Sequence, residues 1–192
     1  MGLIMSIQLV ESRLIENVQN EEGKLYITGI FAQAEIVNGN GRFYSKSIME
    51  SAFNEYKARC IDTSTALGEL NHPTGRNEVD LAEACIRVVE AHFDGNNIVG
   101  KALVLDTPKG KIVKALLEGG CKLGVSSRGT GKVNRNSKGI DEISDLRFNA
   151  LIDVVQNPSA PDAMVDSIVE AKNSSINTND IIKKAIKRIN AL

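Results

Sequence analysis

The two histidines of the chain are its first candidates for acid–base chemistry, because imidazole exchanges protons readily near neutral pH. His72 lies in the segment Gly-Glu-Leu-Asn-His-Pro at residues 68–73, where the glycine and proline predict an irregular loop. Loops carry a disproportionate share of catalytic residues. His92 lies near the end of an apolar run, which is typical of a strand residue that points to solvent or is satisfied locally. His72 is therefore the better candidate, although a structural role fits its spacing equally well.

Residues 124–131, Gly-Val-Ser-Ser-Arg-Gly-Thr-Gly, contain two serines that could act as a nucleophile. A serine nucleophile needs a base within hydrogen-bonding distance, and donors or positive charge near the developing oxyanion. Gly129 leaves room for a substrate carbonyl, and Arg128 adds a positive charge. The run is neither a Gly-x-Ser-x-Gly elbow nor a phosphate-binding loop. By itself it indicates a serine hydrolase or an ordinary glycine-rich turn.

The segments that must position these residues are predicted to be mainly strands. Residues 24–37 are rich in Ile, Phe, Tyr and Val, and they indicate one bent strand or two short ones. Residues 86–93 and 98–105 flank Asp-Gly-Asn-Asn, which is a strong hairpin signal. Residues 122–133 predict a strand that enters a glycine-rich turn, and residues 140–155 predict one or two further strands.

Two helices are predicted from their capping residues and apolar periodicity. Ser45 is suited to cap a helix that ends near Arg59. Thr107 and Pro108 are suited to begin a second helix, which the Gly-Gly pair at 119–120 should end. The absence of βαβ alternation predicts an α+β fold, with a mainly antiparallel sheet or barrel-like core and flanking helices.

The chain of 192 residues is long enough for one domain of ordinary size. We expect an N-terminal extension with a first strand at residues 1–23, and the main domain at residues 24–165. Residues 166–192 combine a Ser/Asn-rich linker with a short basic amphipathic helix. Such a helix packs on its own domain or binds a partner surface.

Composition excludes several classes of function. The net charge is −1, the basic residues form no stripe, and Trp is absent, so nucleic acid is not an expected partner. The three cysteines are widely spaced and only two histidines accompany them, so a zinc site is not expected, and no metal or other cofactor is predicted. No apolar run reaches the roughly 20 residues that a membrane-spanning helix needs. We therefore expect an intracellular protein that does not act at a membrane.

The two motifs occur in an order and spacing that resemble the prohead core proteases of T-even-like tailed bacteriophages. The resemblance rests on residues 68–73 and 124–129, with support from Pro-Ser-Ala-Pro-Asp at 158–162 and from the runs at 26–35 and 38–44. It covers most of residues 24–165 and implies a serine endopeptidase related in fold to the herpesvirus assemblins.

The resemblance implies His72 as the general base and Ser126 as the nucleophile, with Ser127 as the alternative. Neighbours on a strand point to opposite faces, so one of the two serines can face His72. Assemblins place a histidine as the third member, but no histidine follows His92 in this chain. Asp153 is the candidate instead, because an acid within an apolar strand is costly to bury unless it is paired. Glu69 is the alternative third member, and an exposed Asp153 without a catalytic role is also open.

The resemblance places the oxyanion hole in backbone N–H groups of the loop after the third-member strand. In this chain those groups would belong to Ser159 and Ala160. Arg128 and Gly129 are expected to add contacts to the oxyanion or the substrate.

Members of the resembled family cut after glutamate in a Leu/Ile-x-Glu context, and this preference implies self-cleavage of a precursor. Candidate sites are Glu11, Glu16 and Glu170. The implied partners are phage scaffold and major capsid proteins, within the prohead in the host cytoplasm, and the resemblance is compatible with self-association. The alternative is a noncatalytic structural or scaffolding protein of a phage head or tail with the same fold.

Overall fold

The computed structural model describes residues 7–14, 17–21 and 23–156, which form an α+β fold of strands and two helices. The strands are β1 (Ile7–Leu14), β2 (Asn17–Glu21), β3 (Lys24–Gln33), β4 (Arg42–Phe43), β5 (Leu67–Glu69), β6 (Ala84–Asp94), β7 (Asn97–Val104), β8 (Gly124–Arg135) and β9 (Asp141–Val155). The helices are α1 (Lys46–Tyr56) and α2 (Pro108–Glu118). The predicted linker and amphipathic helix at 166–192 lie outside the described residues.

These strands form two sheets, in the orders β1-β8-β9-β4 and β2-β3-β7-β6-β5. Paired strands run antiparallel, except β4 and β9, which run parallel. The α+β class and the mainly antiparallel pairing are therefore confirmed. The barrel-like core is wrong for the described residues, because a barrel needs every strand paired on both sides. Here β4 and β5, two and three residues long, are edge strands, and each has a neighbouring strand of its sheet on one side.

The predicted strands agree with strands of the structure. The segment from residue 24 forms the single strand β3, which bends at a register shift between Ile30 and Ala32 against β7. Strands β6 and β7 form the predicted hairpin, in which Asp94 pairs with Asn97 and Gly95 takes a positive φ of 61°. A positive φ suits glycine because it has no Cβ. Residues 140–155, which were predicted to form one or two strands, contain the single strand β9 of 15 residues.

Both helices begin at their predicted caps. The Ser45 hydroxyl accepts a hydrogen bond from the Ile48 N–H at 3.4 Å, and the Thr107 hydroxyl accepts one from the Gly110 N–H at 3.1 Å. Helix α2 ends just before the predicted Gly-Gly pair. Helix α1 continues through a π-helical turn, Lys57–Ile61, so helical winding extends two residues past the predicted end.

The apolar face of α1 packs against β9 and forms part of the core. Met49, Phe53 and Tyr56 are buried on this face, and the Tyr56 ring meets the Phe148 ring edge-on, with 6.2 Å between centroids. Burying side chains of this size contributes about 2 kcal/mol each. The packing holds β9 in place along the helix.

The two sheets meet where the C-terminal end of β9 lies beside β5. Leu70, the residue after β5, forms a parallel β-bridge with Val154. Gly68 lies so close to β9 that an added Cβ would be 2.0 Å from the Ile152 carbonyl oxygen. Only glycine fits there, and this close contact brings the loop after β5 to the end of β9.

Candidate active site

Three elements that are distant in sequence bring polar side chains together at the junction of the sheets. Ser126 lies on β8 and Asp153 directly opposite it on β9, so their side chains project from the same face. His72 comes from the loop after β5. Just past this pair, the register of β8 and β9 shifts, since Arg128 pairs with Ala150. This bulge changes the direction of the side chains next to the pair.

The His72 loop is anchored to β9 immediately before the histidine. The Asn71 N–H donates to the Val154 carbonyl oxygen at 2.7 Å. Asn71 also takes a positive φ of 66°, a conformation that asparagine tolerates better than most residues. The chain therefore turns sharply at Asn71, and the imidazole of His72 follows this fixed turn.

The His72 ring lies between the serine and the acid. Its Nε2 is 2.6 Å from the Ser126 Oγ, and its Nδ1 is 3.0 Å from the Asp153 Oδ2. In the tautomer that suits both contacts, Nδ1–H donates to Asp153 and Nε2 accepts from the Ser126 hydroxyl. This arrangement allows Nε2 to take the serine proton while the carboxylate stabilises the imidazolium that results.

Asp153 is fully buried, and its carboxylate is held on three sides. Oδ1 accepts from the Glu69 backbone N–H at 2.8 Å, while Oδ2 accepts from His72 and from the Arg128 Nε, the latter at 2.8 Å. Full hydrogen bonding offsets the cost of burying the charge. The exposed position considered for Asp153 is wrong, because its residue exposure is 0%.

Arg128 does not occupy the position that the sequence predicted. Its side chain is 0% exposed and binds Asp153, and its Nη1 donates to the Asn77 carbonyl oxygen at 2.6 Å. A side chain buried behind the carboxylate has no access to a substrate, so the expectation of a direct oxyanion or substrate contact is wrong. The sequence shows the positive charge of Arg128 but not the direction of its side chain, which depends on the pairing of β8 with β9.

Gly129 and Ser127 lie apart from the His72 ring. Gly129 is three residues along β8, about 10 Å from Ser126 at the usual strand rise, and it is packed against the Arg147 carbonyl. This position does not support a direct role for Gly129 at the oxyanion. Ser127 is buried, and strand alternation directs its side chain away from the face that carries Ser126. The serine in contact with His72 is Ser126.

Glu69 is buried beside the site and bonds to groups other than His72. Arg76 donates to both carboxylate oxygens, at 2.6 and 2.7 Å, and the Asp80 N–H donates to Oε1 at 2.6 Å. The acid that contacts the His72 ring is Asp153 rather than Glu69. The sequence prediction missed the contacts of Arg76 and Asp80, although an arginine soon after the candidate histidine was a possible partner for the acid that precedes it.

Of the remaining candidates, His92 and Glu11 lie on strands that the structure describes. His92 is exposed on β6, opposite Val99 and away from the site, as its sequence pattern predicted. Glu11 lies in β1, where its backbone pairs with Ser127. The other candidates, Glu16, Ser159, Ala160 and Glu170, lie outside the described residues.

The pKa values of two buried groups near Asp153 are raised. Burial raises the pKa of the Tyr56 hydroxyl above its usual value, and the charge of Asp153 adds a smaller upward contribution. Burial also raises the pKa of the Cys85 thiol, and here Asp153 is the second cause. Both groups therefore stay protonated at neutral pH and add no charge to the interior around the site.

Within the described ranges, no group of three or more His, Cys, Asp or Glu residues is arranged to hold a metal ion. The helices described there include none that is long and apolar enough to span a membrane.

Comparison with known proteins adds independent information. Residues 2–174 match the family described as prohead core protein serine protease. The chain is 36% identical over 182 residues to the prohead core protein protease of Enterobacteria phage T4, across 92% of this chain and 85% of that protein. The fold is similar to the structure of the bacteriophage T4 capsid assembly protease, with a TM-score of 0.75 and 32% identity over 80% of this chain and 99% of that chain.

Proposed function

Because the chain belongs to the family of prohead core protein serine proteases, we propose that Ser126, His72 and Asp153 form the triad with which it hydrolyses peptide bonds. The family prediction made from the two motifs is confirmed, and the chain is a serine protease of phage capsid assembly. The alternative of a noncatalytic structural protein is set aside, since the family and the matched relative are proteases.

The observation that carries the triad is the His72 ring, which contacts Ser126 through Nε2 and Asp153 through Nδ1. Ser126 Oγ attacks the scissile carbonyl carbon as its proton passes to Nε2. The tetrahedral intermediate collapses to an acyl-enzyme when the protonated His72 gives this proton to the leaving amine. Water then attacks the ester with His72 again as base, and Ser126 regains its proton. Asp153 stabilises the imidazolium in both halves of the reaction.

We further propose that substrates are phage scaffold and major capsid proteins, cut after glutamate in a Leu/Ile-x-Glu context within the prohead in the host cytoplasm. The names of the T4 proteins, which refer to the prohead core and to capsid assembly, support this class of substrate. The preference for glutamate rests on the family resemblance of residues 68–73 and 124–129.

Self-cleavage is proposed after Glu11, with Glu16 and Glu170 as further sites. The pairing of β1 with β8 supports Glu11, because Glu11 is opposite Ser127 and Ser12 is opposite Ser126. The Glu11–Ser12 peptide bond is therefore about one strand spacing, roughly 5 Å, from the backbone of the nucleophile. Intact-mass measurement checks this proposal: loss of residues 1–11 should occur in the active chain and not in Ser126→Ala.

The substrate proposal is tested with two peptides that differ in one group. The full chain is incubated with a scaffold-like peptide containing Leu-x-Glu and with the same peptide containing Leu-x-Gln, and the products are identified by mass. We expect cleavage after Glu and little cleavage after Gln, because glutamine has the same shape without the charge. Cleavage that persists in both His72→Ala and Ser126→Ala would contradict the proposed triad, and equal cleavage of the peptides would contradict the glutamate preference.

A further inference from the structure

The interior behind the His72 ring contains an unusual concentration of charge. Asp153, Glu69 and Arg128 are each at most 1% exposed. Unpaired charges at such depth are strongly unfavourable, so each must be matched by a partner of opposite sign and by hydrogen bonds. Arg128 is the cation that lies between the two acids.

The guanidinium of Arg128 joins three parts of the chain. Its Nε donates to the Asp153 Oδ2 on β9 at 2.8 Å, and its Nη1 donates to the Asn77 carbonyl oxygen in the His72 loop at 2.6 Å. Its Nη2 is 3.6 Å from the Glu69 Oε1 at the end of β5. A planar group with several fixed donors can hold three such partners at once, which an ammonium group does less well.

The Asp153 Oδ2 is the atom through which this network reaches the catalytic histidine. It accepts from the His72 Nδ1 at 3.0 Å and from the Arg128 Nε, and Oδ1 accepts from the Glu69 backbone N–H. These three donors fix the position and the rotation of the carboxylate. Arg128 contacts the Asp153 carboxylate through its Nε at 2.8 Å and its Nη2 at 3.5 Å, so it can act on the reaction through this carboxylate.

From this geometry we infer that Arg128 is a positioning residue, which orients Asp153 for His72 and ties the His72 loop to β8. The inference rests on the proposed triad, since it assigns Arg128 a role in the reaction through Asp153. It replaces the direct substrate contact that the sequence had suggested for this arginine.

The charged groups around His72 show what the loss of Arg128 would remove. Asp153 and Glu69 contribute negative charge, and Arg128 and Arg76 contribute positive charge. Tyr56 and Cys85, which also lie near Asp153, stay neutral. Without Arg128, the Asp153 carboxylate loses its buried cation and one of the three donors that fix its rotation.

The test uses steady-state peptide cleavage by the full chain, because it separates kcat from KM. In Arg128→Met we expect kcat to fall by about 100-fold or more at unchanged KM, since a small displacement of a catalytic group can cost about this much. Circular dichroism checks that the variant is folded. A wild-type kcat in a folded Arg128→Met protein would overturn the inference.

Arg128→Lys separates charge from geometry and remains informative if Arg128→Met fails to fold. Lysine keeps the positive charge and loses the planar set of donors. We expect kcat to fall by up to about 100-fold at unchanged KM, because the ammonium group does not hold the Asp153 carboxylate in the same orientation. A wild-type kcat in Arg128→Lys would overturn the positioning role.

A matched control is Arg59→Met. Arg59 donates to the Phe148 carbonyl oxygen of β9 at 2.7 Å but pairs with Glu55 rather than with Asp153. This variant should leave kcat and KM unchanged, and an equal loss of kcat there would assign the Arg128 effect to general disturbance of β9. Failure of the proposed function would be seen separately, as cleavage that survives in Ser126→Ala, whereas failure of this inference would appear as a wild-type kcat in a folded Arg128 variant.

Discussion

The two histidines of the chain occupy regions that are built in different ways. His92 lies in the β6–β7 hairpin, where neighbouring residues pair across a two-residue turn. His72 lies in a loop whose contacts come from β5, β8 and β9, and its ring contacts Asp153, which is 81 residues away in sequence. The hairpin depends on local turn chemistry, whereas the loop depends on distant groups that meet only in the folded chain. The difference shows why the local pattern predicted the hairpin directly and gave His72 only as a candidate.

The largest expected effect separates the two adjacent serines of the His72 region. Ser126→Ala should lower kcat by about 10⁶-fold, because the proposed nucleophile is removed. Ser127→Ala, one residue away on the opposite face, should stay within about tenfold of wild type. Peptide cleavage followed by mass spectrometry measures both rates. The reverse order of effects would assign the nucleophile to Ser127 and place the His72 contact outside the reaction.

Asp153→Asn should lower kcat by about 10⁴-fold with little change in KM. Asparagine keeps the shape of the side chain but loses the charge that stabilises the imidazolium and selects the tautomer of His72. Steady-state kinetics over a range of substrate concentrations separates kcat from KM. A kcat near that of wild type would remove Asp153 from the triad. His72 would then resemble His92 in having no catalytic acid.

Glu69→Gln tests whether the second buried acid supports structure or chemistry. Glutamine weakens the bonds from Arg76 and Asp80, and it leaves Arg128 without one of its acids. We expect the free energy of unfolding to fall by about 2 kcal/mol while kcat stays within about tenfold of wild type. Chemical denaturation and peptide cleavage measure the two quantities. A loss of kcat as large as that of Asp153→Asn would favour Glu69 as the third member.

The smallest effect is expected in the hairpin. His92→Gln should change the free energy of unfolding by no more than about 0.5 kcal/mol and leave cleavage unchanged, because the side chain is exposed on a strand fixed by backbone pairing. Thermal unfolding and the same peptide assay measure these quantities. A substantial loss of activity would give His92 a role in the reaction and contradict its assignment as an exposed strand residue.

Elements with local signals were predicted well from the sequence. The caps at Ser45 and Thr107 and the hairpin at Gly95 depend on residues within three positions of one another, so the pattern contains most of the information. The extension of α1 into a π-helical turn was not predicted, because buried Cys60 and Ile61 favour it through packing rather than through local sequence. The wrong prediction of a barrel-like core has the same cause, because sheet closure depends on which distant strand edges pair.

The sequence by itself determined which groups are available for chemistry: one loop histidine, a pair of serines in a small-residue strand, and an acid within an apolar run. It also determined the family, since the order and spacing of two motifs are properties of the chain. Only the tertiary structure decided that Asp153 rather than Glu69 contacts His72, and that Arg128 points inward to Asp153 rather than outward to a substrate. The physical reason is strand register. The pairing of Ser126 with Asp153 and the bulge beside it set the direction of each side chain, and those pairings join residues that no local pattern connects.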